Sequence, residues 1–278
     1  MSMGDVAERR SKGDAPPLIA LRGVCKTFVS RDGAEVHAVQ DVTLNVYRDE
    51  FVSIVGPSGC GKSTLLNMVV GLVAPSRGEV VIDGGARGRR QGWAGYMTQA
   101  DALLPWRTVL ENAELGLELR GVQRAERRAR VRQLLAKVGL ADVAGRYPSE
   151  ISGGMRQRLS LVRVLAYEPE ALLLDEPFSA VDVQLREILH QDLLRLWRES
   201  GKTILFVTHD LHEAIALADR VVLMTDRPGR IKREYAVELP RPRPMFEVQL
   251  LPGFIELYRT IWSDLKDEVL KAHADILY

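Results

Sequence analysis

Between Phe51 and Leu72 the chain reads FVSIVGPSGCGKSTLLNMVVGL. The opening run is apolar, rich in Val and Ile, and stopped by a glycine after a few residues. That combination predicts a short strand covered on both faces. Gly56, Gly59 and Gly61 follow, and then a helix-compatible run from Lys62. A strand that enters a glycine-rich loop and leaves as a helix gathers backbone N–H groups around one point, where an anion fits. The loop matches G-x-x-x-x-G-K-[ST] at Gly56, Gly61, Lys62 and Ser63. In that pattern Gly56, Pro57, Ser58, Gly59, Cys60 and Gly61 wrap a triphosphate. Lys62 reaches its outer phosphates, Ser63 offers a hydroxyl to Mg²⁺, and Thr64 touches an inner phosphate.

A loop of this kind needs a parallel sheet around it, and the rest of the chain supplies the strands. LIALRGVCKTF and AVQDVTLNVYRDE read as strands of a half-exposed sheet. GEVVIDG, WAGYMTQ, EALLLDEP, KTILFVTHD and RVVLMTD are further short strands. From about residue 100 to 168 the apolar spacing turns to three and four, which predicts helices. The reading is a doubly wound parallel sheet with a helical insert. PRPRP at 240–244 reads as a linker. Beyond it Phe254, Leu257, Tyr258, Ile261, Trp262, Leu265 and Val269 share one helical face, expected to pack on the main body.

Composition matters here for what it excludes. Of 278 residues, 38 are basic and 37 acidic, so the net charge of +1 gives no footprint for nucleic acid. No apolar run reaches the roughly 20 residues of a membrane span, so any membrane work needs another chain to cross. Residues 1–17 are polar and read as a disordered lead-in without a secretory core. Cys25 and Cys60 read as reduced thiols, because a disulfide at Cys60 would obstruct the glycine loop; the expected compartment is cytosolic.

Chemistry-bearing residues recur at the ends of the predicted strands. LLLDEP places Asp175 and Glu176 behind a buried run, where two acids are costly unless a cation is near. Asp175 is assigned to Mg²⁺ and Glu176 to the attacking water. His209 follows another buried strand, at the edge where open α/β sheets bind ligands. Gln99 ends a third strand and is a weak signal alone. Phe28 fits either core packing or stacking on a base. ISGGMRQR at 151–158 is a second helix start suited to an anion, with Ser152, Gly153 and Gly154 presenting bare N–H groups.

The ordered set GPSGCGKST, Gln99, ISGGMRQR, LLLDEP, SAVD and His209 resembles the ATP-binding subunit of an ABC transporter over roughly residues 18–235. ISGGMRQR is similar to that family's signature, usually LSGGQ, with Met155 where Gln is common. The resemblance implies an α/β fold: a P-loop NTPase parallel-sheet core with an antiparallel β subdomain and an inserted α-helical subdomain. It implies one ATP-binding domain over 18–239 and a tail of linker and amphipathic helix over 240–278. It implies a homodimer in which each ATP lies between one copy's P-loop and the other's Ser152, Gly153 and Gly154. Phe28 then matches the aromatic on adenine, and Gln99 the sensor of Mg²⁺ and water. Asp182 matches the acid that crosses the dimer, and His209 the γ-phosphate contact.

ADALLPWRTVLENAELGLELRGV and DRPGRI resemble the nitrate, sulfonate and taurine importer group. That implies ATP hydrolysis coupled to uptake, at the cytoplasmic face of a membrane. The implied partners are a second copy, integral membrane permease subunits and, indirectly, a solute-binding protein, with no nucleic acid. The alternatives are an exporter ATPase and an ABC ATPase acting on nucleic acid or the ribosome. Leu103, Leu104, Pro105 and Trp106 form an apolar loop, read either as packing within the insert or as the groove for a helix of the permease.

Overall fold

The computed structural model describes residues 15–30, 32–85, 92–179, 181 and 183–272. Residues 1–14 of the expected lead-in, and Asp182, lie outside the described residues. In chain order the strands are β1 (Ile19–Val29), β2 (Glu35–Val46), β3 (Phe51–Val55), β4 (Arg77–Ile82), β5 (Ala94–Met97), β6 (Ala171–Asp175), β7 (Thr203–Val207), β8 (Arg220–Met224) and β9 (Ile231–Ala236). The helices are α1 (Lys62–Val70), α2 (Val109–Leu119), α3 (Arg124–Lys137), α4 (Gly153–Leu165), α5 (Val183–Ser200), α6 (Leu211–Leu217), α7 (Met245–Val248) and α8 (Pro252–Ala272).

The main sheet has the order β5-β6-β7-β3-β8-β9. Its first five strands are parallel, and β9 runs antiparallel to β8 at the edge. Two faces are covered, which is why the parallel strands are mostly apolar, with polar residues such as Thr203 and Asp175 chiefly at their ends and Ser53 inside β3. Val52, Ile54, Leu173, Leu205 and Val222 face α1 and the antiparallel sheet β2-β1-β4. The alternate residues Phe51, Leu172, Phe206, Val221 and Leu223 face α6 and α8. No strand was expected at 231–236, because β9 is rich in charge and buries chiefly Tyr235. Charged residues on an edge strand block further pairing.

The insert has its own core, built from Val109 and Leu117 of α2, Val131 and Leu135 of α3, and Leu159 and Val162 of α4. A capping box between Thr108 and Glu111 starts α2. The other side of α4 puts Leu161, Val164 and Leu165 into the main core. One helix thus joins the insert to the sheet.

PRPRP does not behave as the expected linker; it is a docked strap. The buried Arg243 guanidinium donates to the carbonyls of Ala218 at 2.6 Å, Leu239 at 3.0 Å and Val237 at 3.1 Å. Arg241 donates to Asp219 at 3.0 Å and stacks 4.5 Å over the Trp197 ring. Carbonyls left open at the end of α6 need donors, and arginine carries five. Beyond the strap, Phe254, Ile261 and Leu265 of α8 are buried in the main core, with Leu257, Tyr258 and Val269 partly so. Trp262 stands at the rim, stacked on Tyr258, because it lies a further 100° or so around the helix from Ile261.

Candidate active site

The carboxyl ends of β5, β6, β7 and β3 lie side by side. The segments that leave them carry Gln99, Asp175 with Glu176, His209 and the phosphate loop, in that spatial order. Sheet topology therefore gathers residues from four separate stretches onto one edge.

The loop after β3 is shaped by two constraints. Gly59 and Gly61 have φ of +79° and +103°, conformations that disfavour any side chain. At Gly61 a Cβ would also lie 2.7 Å from the Ala38 carbonyl oxygen and 2.8 Å from Val39 Cγ2 of β2. Lys62 is buried, and its Nζ donates to the carbonyls of Gly56 at 2.8 Å and Pro57 at 2.9 Å. Ser63 and Thr64 follow it in the first turn of α1. Cys60 is a free, fully buried thiol, and burial pushes its pKa up.

Asp175 closes β6 and is buried. Burial raises its pKa, against the pull of hydrogen bonding with Ser63. Its Oδ1 is buried without a hydrogen-bond partner. The Tyr96 hydroxyl reaches the same carboxyl, and burial together with that charge pushes Tyr96 up to about 12. An orphaned carboxylate oxygen beside a serine hydroxyl is a hard-oxygen donor pair, which fits Mg²⁺ completed by water and phosphate oxygens. Among the described residues no group of three or more His, Cys, Asp or Glu side chains could hold a metal without such outside ligands.

Glu176 has φ of +46°, a strained conformation for a residue with a side chain. Its N–H donates to the Val207 carbonyl at 2.9 Å, locking it to the end of β7. Its Oε2 lies 3.1 Å from Nδ1 of His209. Gln99 is exposed, two residues beyond the end of β5, which pairs in parallel with β6 up to Met97 and Leu174.

The second anion-facing helix start lies elsewhere, in the insert. Ser152 is the N-cap of α4, exposed with Gly153, and its Oγ accepts from the Met155 N–H at 3.3 Å. Met155 is half-buried against the insert's core, so this side chain packs where a Gln is common. Phe28 is 41% exposed on β1, with Lys26 Nζ 5.0 Å from its ring centroid, which sets aside the core-packing alternative.

Several residues at this edge escaped the sequence reading. Thr208 Oγ1 donates to Glu213 at 2.6 Å and accepts from the Asp210 N–H at 3.0 Å. Asp210 caps α6 by accepting from the His212 N–H at 2.8 Å. His190 Nε2 lies 3.2 Å from Glu213, and Arg186 donates to the Val181 carbonyl at 3.0 Å. Burial opposes a charge on His190, but Glu187 and Glu213 outweigh it and raise its pKa. This network braces both sides of His209. The spacing of Asp210 and Glu213 at a helix start was the available signal.

The loop after Gln99 is fastened to α4. Arg156 donates to Asp101 Oδ2 at 3.1 Å, Ser160 to the Asp101 carbonyl at 3.0 Å, and Arg163 to the Ala102 carbonyl at 2.7 Å. Asn112 ties the loop from inside, donating to the carbonyls of Leu104, Arg107 and Thr108. Leu103 packs on the insert, whereas Trp106 is 70% exposed beside a cleft of about 380 Å³ with Arg107, Glu111 and Arg128 on its walls.

The protein family described as ABC transporter matches residues 39–179. The taurine import ATP-binding protein TauB of Pseudomonas aeruginosa (strain UCBPP-PA14) is 46% identical over 85% of this chain and 91% of its own length. The aliphatic sulfonates import ATP-binding protein SsuB 2 of the same strain is 45% identical over 87% of this chain and 82% of its own. The dimeric post-hydrolysis structure of the ATP-binding cassette MJ0796, bound to ADP and Pi, superposes with a TM-score of 0.70 at 35% identity. It covers 80% of this chain, and the match spans 100% of that cassette.

Proposed function

The chain belongs to the ABC transporter family as an ATP-binding, ATP-hydrolysing subunit, and from that premise we propose that two copies power the import of taurine, a sulfonate, nitrate or a related small solute. The observation that carries the catalytic part is the Glu176–His209 pair at 3.1 Å, on the sheet edge shared with Lys62 and Asp175. Asp175, Ser63 and Gln99 hold Mg²⁺, which when bound draws charge from the phosphate oxygens. Gly56, Pro57, Ser58, Gly59, Cys60 and Gly61 cradle the phosphates, with Lys62 and Thr64 closing the cradle. Phe28 stacks on the adenine. Glu176 orients the attacking water and accepts its proton, and His209 holds that carboxylate while contacting the γ-phosphate.

The site is completed by the second copy. Ser152 and Gly153 are exposed at a helix start, with Gly154 buried behind them, and all three lie in a different subdomain from the phosphate loop. A two-fold dimer lets that helix start meet the partner's ATP, with Asp182 crossing between copies. The dimeric state of a cassette 35% identical supports this pairing.

Transport adds a membrane partner. No helix among the described residues is long and apolar enough to cross a membrane. Permease subunits supply the spans, and this subunit sits on their cytoplasmic face. Trp106 and its loop receive a permease helix, and the bonds from Asp101 and Ala102 to α4 pass its movement to Ser152. A solute-binding protein delivers the cargo from the other side.

Copurification tests the assignment. Two copies of this chain should come down with integral membrane subunits, and hydrolysis in the reconstituted assembly should rise with taurine, sulfonate or nitrate delivered by its binding protein. Recovery with ribosomes or nucleic acid, or hydrolysis indifferent to all three solutes, would overturn it.

A further inference from the structure

The turn DRPGR at 226–230, between β8 and β9, has no part in the chemistry above, yet it touches the phosphate loop. Arg227 donates from Nε and Nη2 to the Gly59 carbonyl, at 3.2 and 3.0 Å. That carbonyl and the Cys60 N–H are opposite ends of one planar peptide unit. A guanidinium fork that holds the carbonyl outward therefore turns the N–H toward the hollow of the loop. There it makes only a long 3.3 Å contact with the Pro57 carbonyl, one that a phosphate oxygen would replace. Gly59, at φ +79°, has no side chain of its own to fix this peptide plane.

The turn that carries Arg227 is itself immobilised. A Cβ on Gly229 would lie 1.9 Å from the Cys60 carbonyl oxygen, so turn and loop touch backbone to backbone. The Gly229 N–H donates to the Ala38 carbonyl at 3.0 Å, and its carbonyl accepts from the Gln40 N–H at 2.9 Å. Arg230 donates to Gln40 Oε1 at 2.7 Å. From the other side Glu268 of α8, 3% exposed, accepts from the Asp226 N–H at 3.1 Å and from Lys232 at 2.8 Å. The C-terminal helix, the turn and the phosphate loop form one connected frame.

We propose that Arg227 is a positioning residue for nucleotide binding: it sets the Gly59–Cys60 peptide with its N–H inward, and α8 holds Arg227 in place through Glu268. This rests on the reading of residues 56–64 as the phosphate site of ATP. The group touches neither the water nor Glu176, so its loss acts on binding rather than on the chemical step.

The chain's cysteines are Cys25 and Cys60, so a Cys25→Ser background leaves Cys60 as the single thiol. Its alkylation by iodoacetamide, measured without nucleotide, reports on opening of the loop. In that background Arg227→Ala should raise the alkylation rate severalfold. It should weaken ATP binding about three- to tenfold, the range for one charge-assisted bond partly open to water, and raise KM at nearly constant kcat. Arg227→Lys should recover part of the affinity, since a single ammonium replaces a two-pronged fork. Unchanged alkylation, unchanged ATP affinity, or a loss confined to kcat would each overturn the proposal. If the Ala variant does not fold, Arg227→Lys and Arg227→Gln decide by the same two measurements. A parent protein that bound no ATP would remove the ATP reading instead, and the alkylation arm would still decide on Arg227.

Discussion

Replacing Glu268 with Gln leaves the shape of α8 intact and removes one buried charge. Burial alone would push this carboxyl up, but hydrogen bonds from Lys232, Lys271 and the Asp226 N–H outweigh it and hold the pKa at about 2, against an ordinary 4.5. The difference corresponds to roughly 3 kcal/mol of stabilisation. Gln keeps one acceptor for the Asp226 N–H, and the Lys271 side chain is largely exposed, so the expected loss is about 2 kcal/mol. For a domain of this size that lowers Tm by about 4–8 °C. The pH dependence has a definite sign. A carboxyl held below its unfolded value stabilises fully above about pH 4.5, and the contribution is lost as the pH falls through about 2. Between pH 7 and pH 4 the gap between wild type and Glu268→Gln should therefore narrow by about 0.8 kcal/mol. Urea unfolding of both proteins at the two pH values measures this directly. A gap below about 0.5 kcal/mol at pH 7, or one that does not narrow at pH 4, would refute the argument.

Other consequences can be checked on the purified subunit and the assembled transporter. Glu176→Gln should keep ATP binding, lose turnover by about a hundredfold or more, and accumulate an ATP-bound dimer on gel filtration; a wild-type hydrolysis rate would count against the assignment. Ser152→Arg should abolish ATP-driven dimerisation while the monomer still binds ATP. Mixing it with Lys62→Ala should restore activity above either variant alone, since one composite site then carries both lesions and the other carries neither. Trp106→Ser should leave the Tm and basal hydrolysis of the isolated subunit nearly unchanged, because the ring is mostly exposed, and should impair assembly with the permease or solute-stimulated hydrolysis. Phe28→Ala should raise the Kd for ATP about five- to tenfold, the worth of one stacked base, with stability little altered.

The division between local and tertiary information runs through individual residues. The phosphate loop was legible because its constraints are local: Gly59 and Gly61 need positive φ, and Lys62 and Ser63 follow at a fixed spacing. The parallel strands were legible because burial on two faces makes their interior positions mostly apolar, as in the LLL of β6 and the ILFV of β7. Strand β9 was not, since an edge strand buries one side chain in six and reads as charged loop. PRPRP looked like a linker because composition does not reveal that Arg243 satisfies carbonyls at 215–218 and 237–239. For Phe28 the sequence left core packing and stacking on a base open, and its exposure on β1 sets aside the first.

By itself the sequence determined which residue types carry the chemistry and which helix starts face an anion, because both depend on neighbours within a few positions. The fold alone decided which of them meet. Asp175, Glu176 and His209 join the phosphate loop because β6, β7 and β3 are consecutive in the sheet though far apart in the chain. Ser152 does not join them, because α4 belongs to the insert's core. Arg227 was visible from the start as part of DRPGRI, but its hold on Gly59 spans 168 residues of sequence. A hydrogen bond across that separation leaves no periodicity in the chain, and only the packing of β8 beside β3 brings its two ends together.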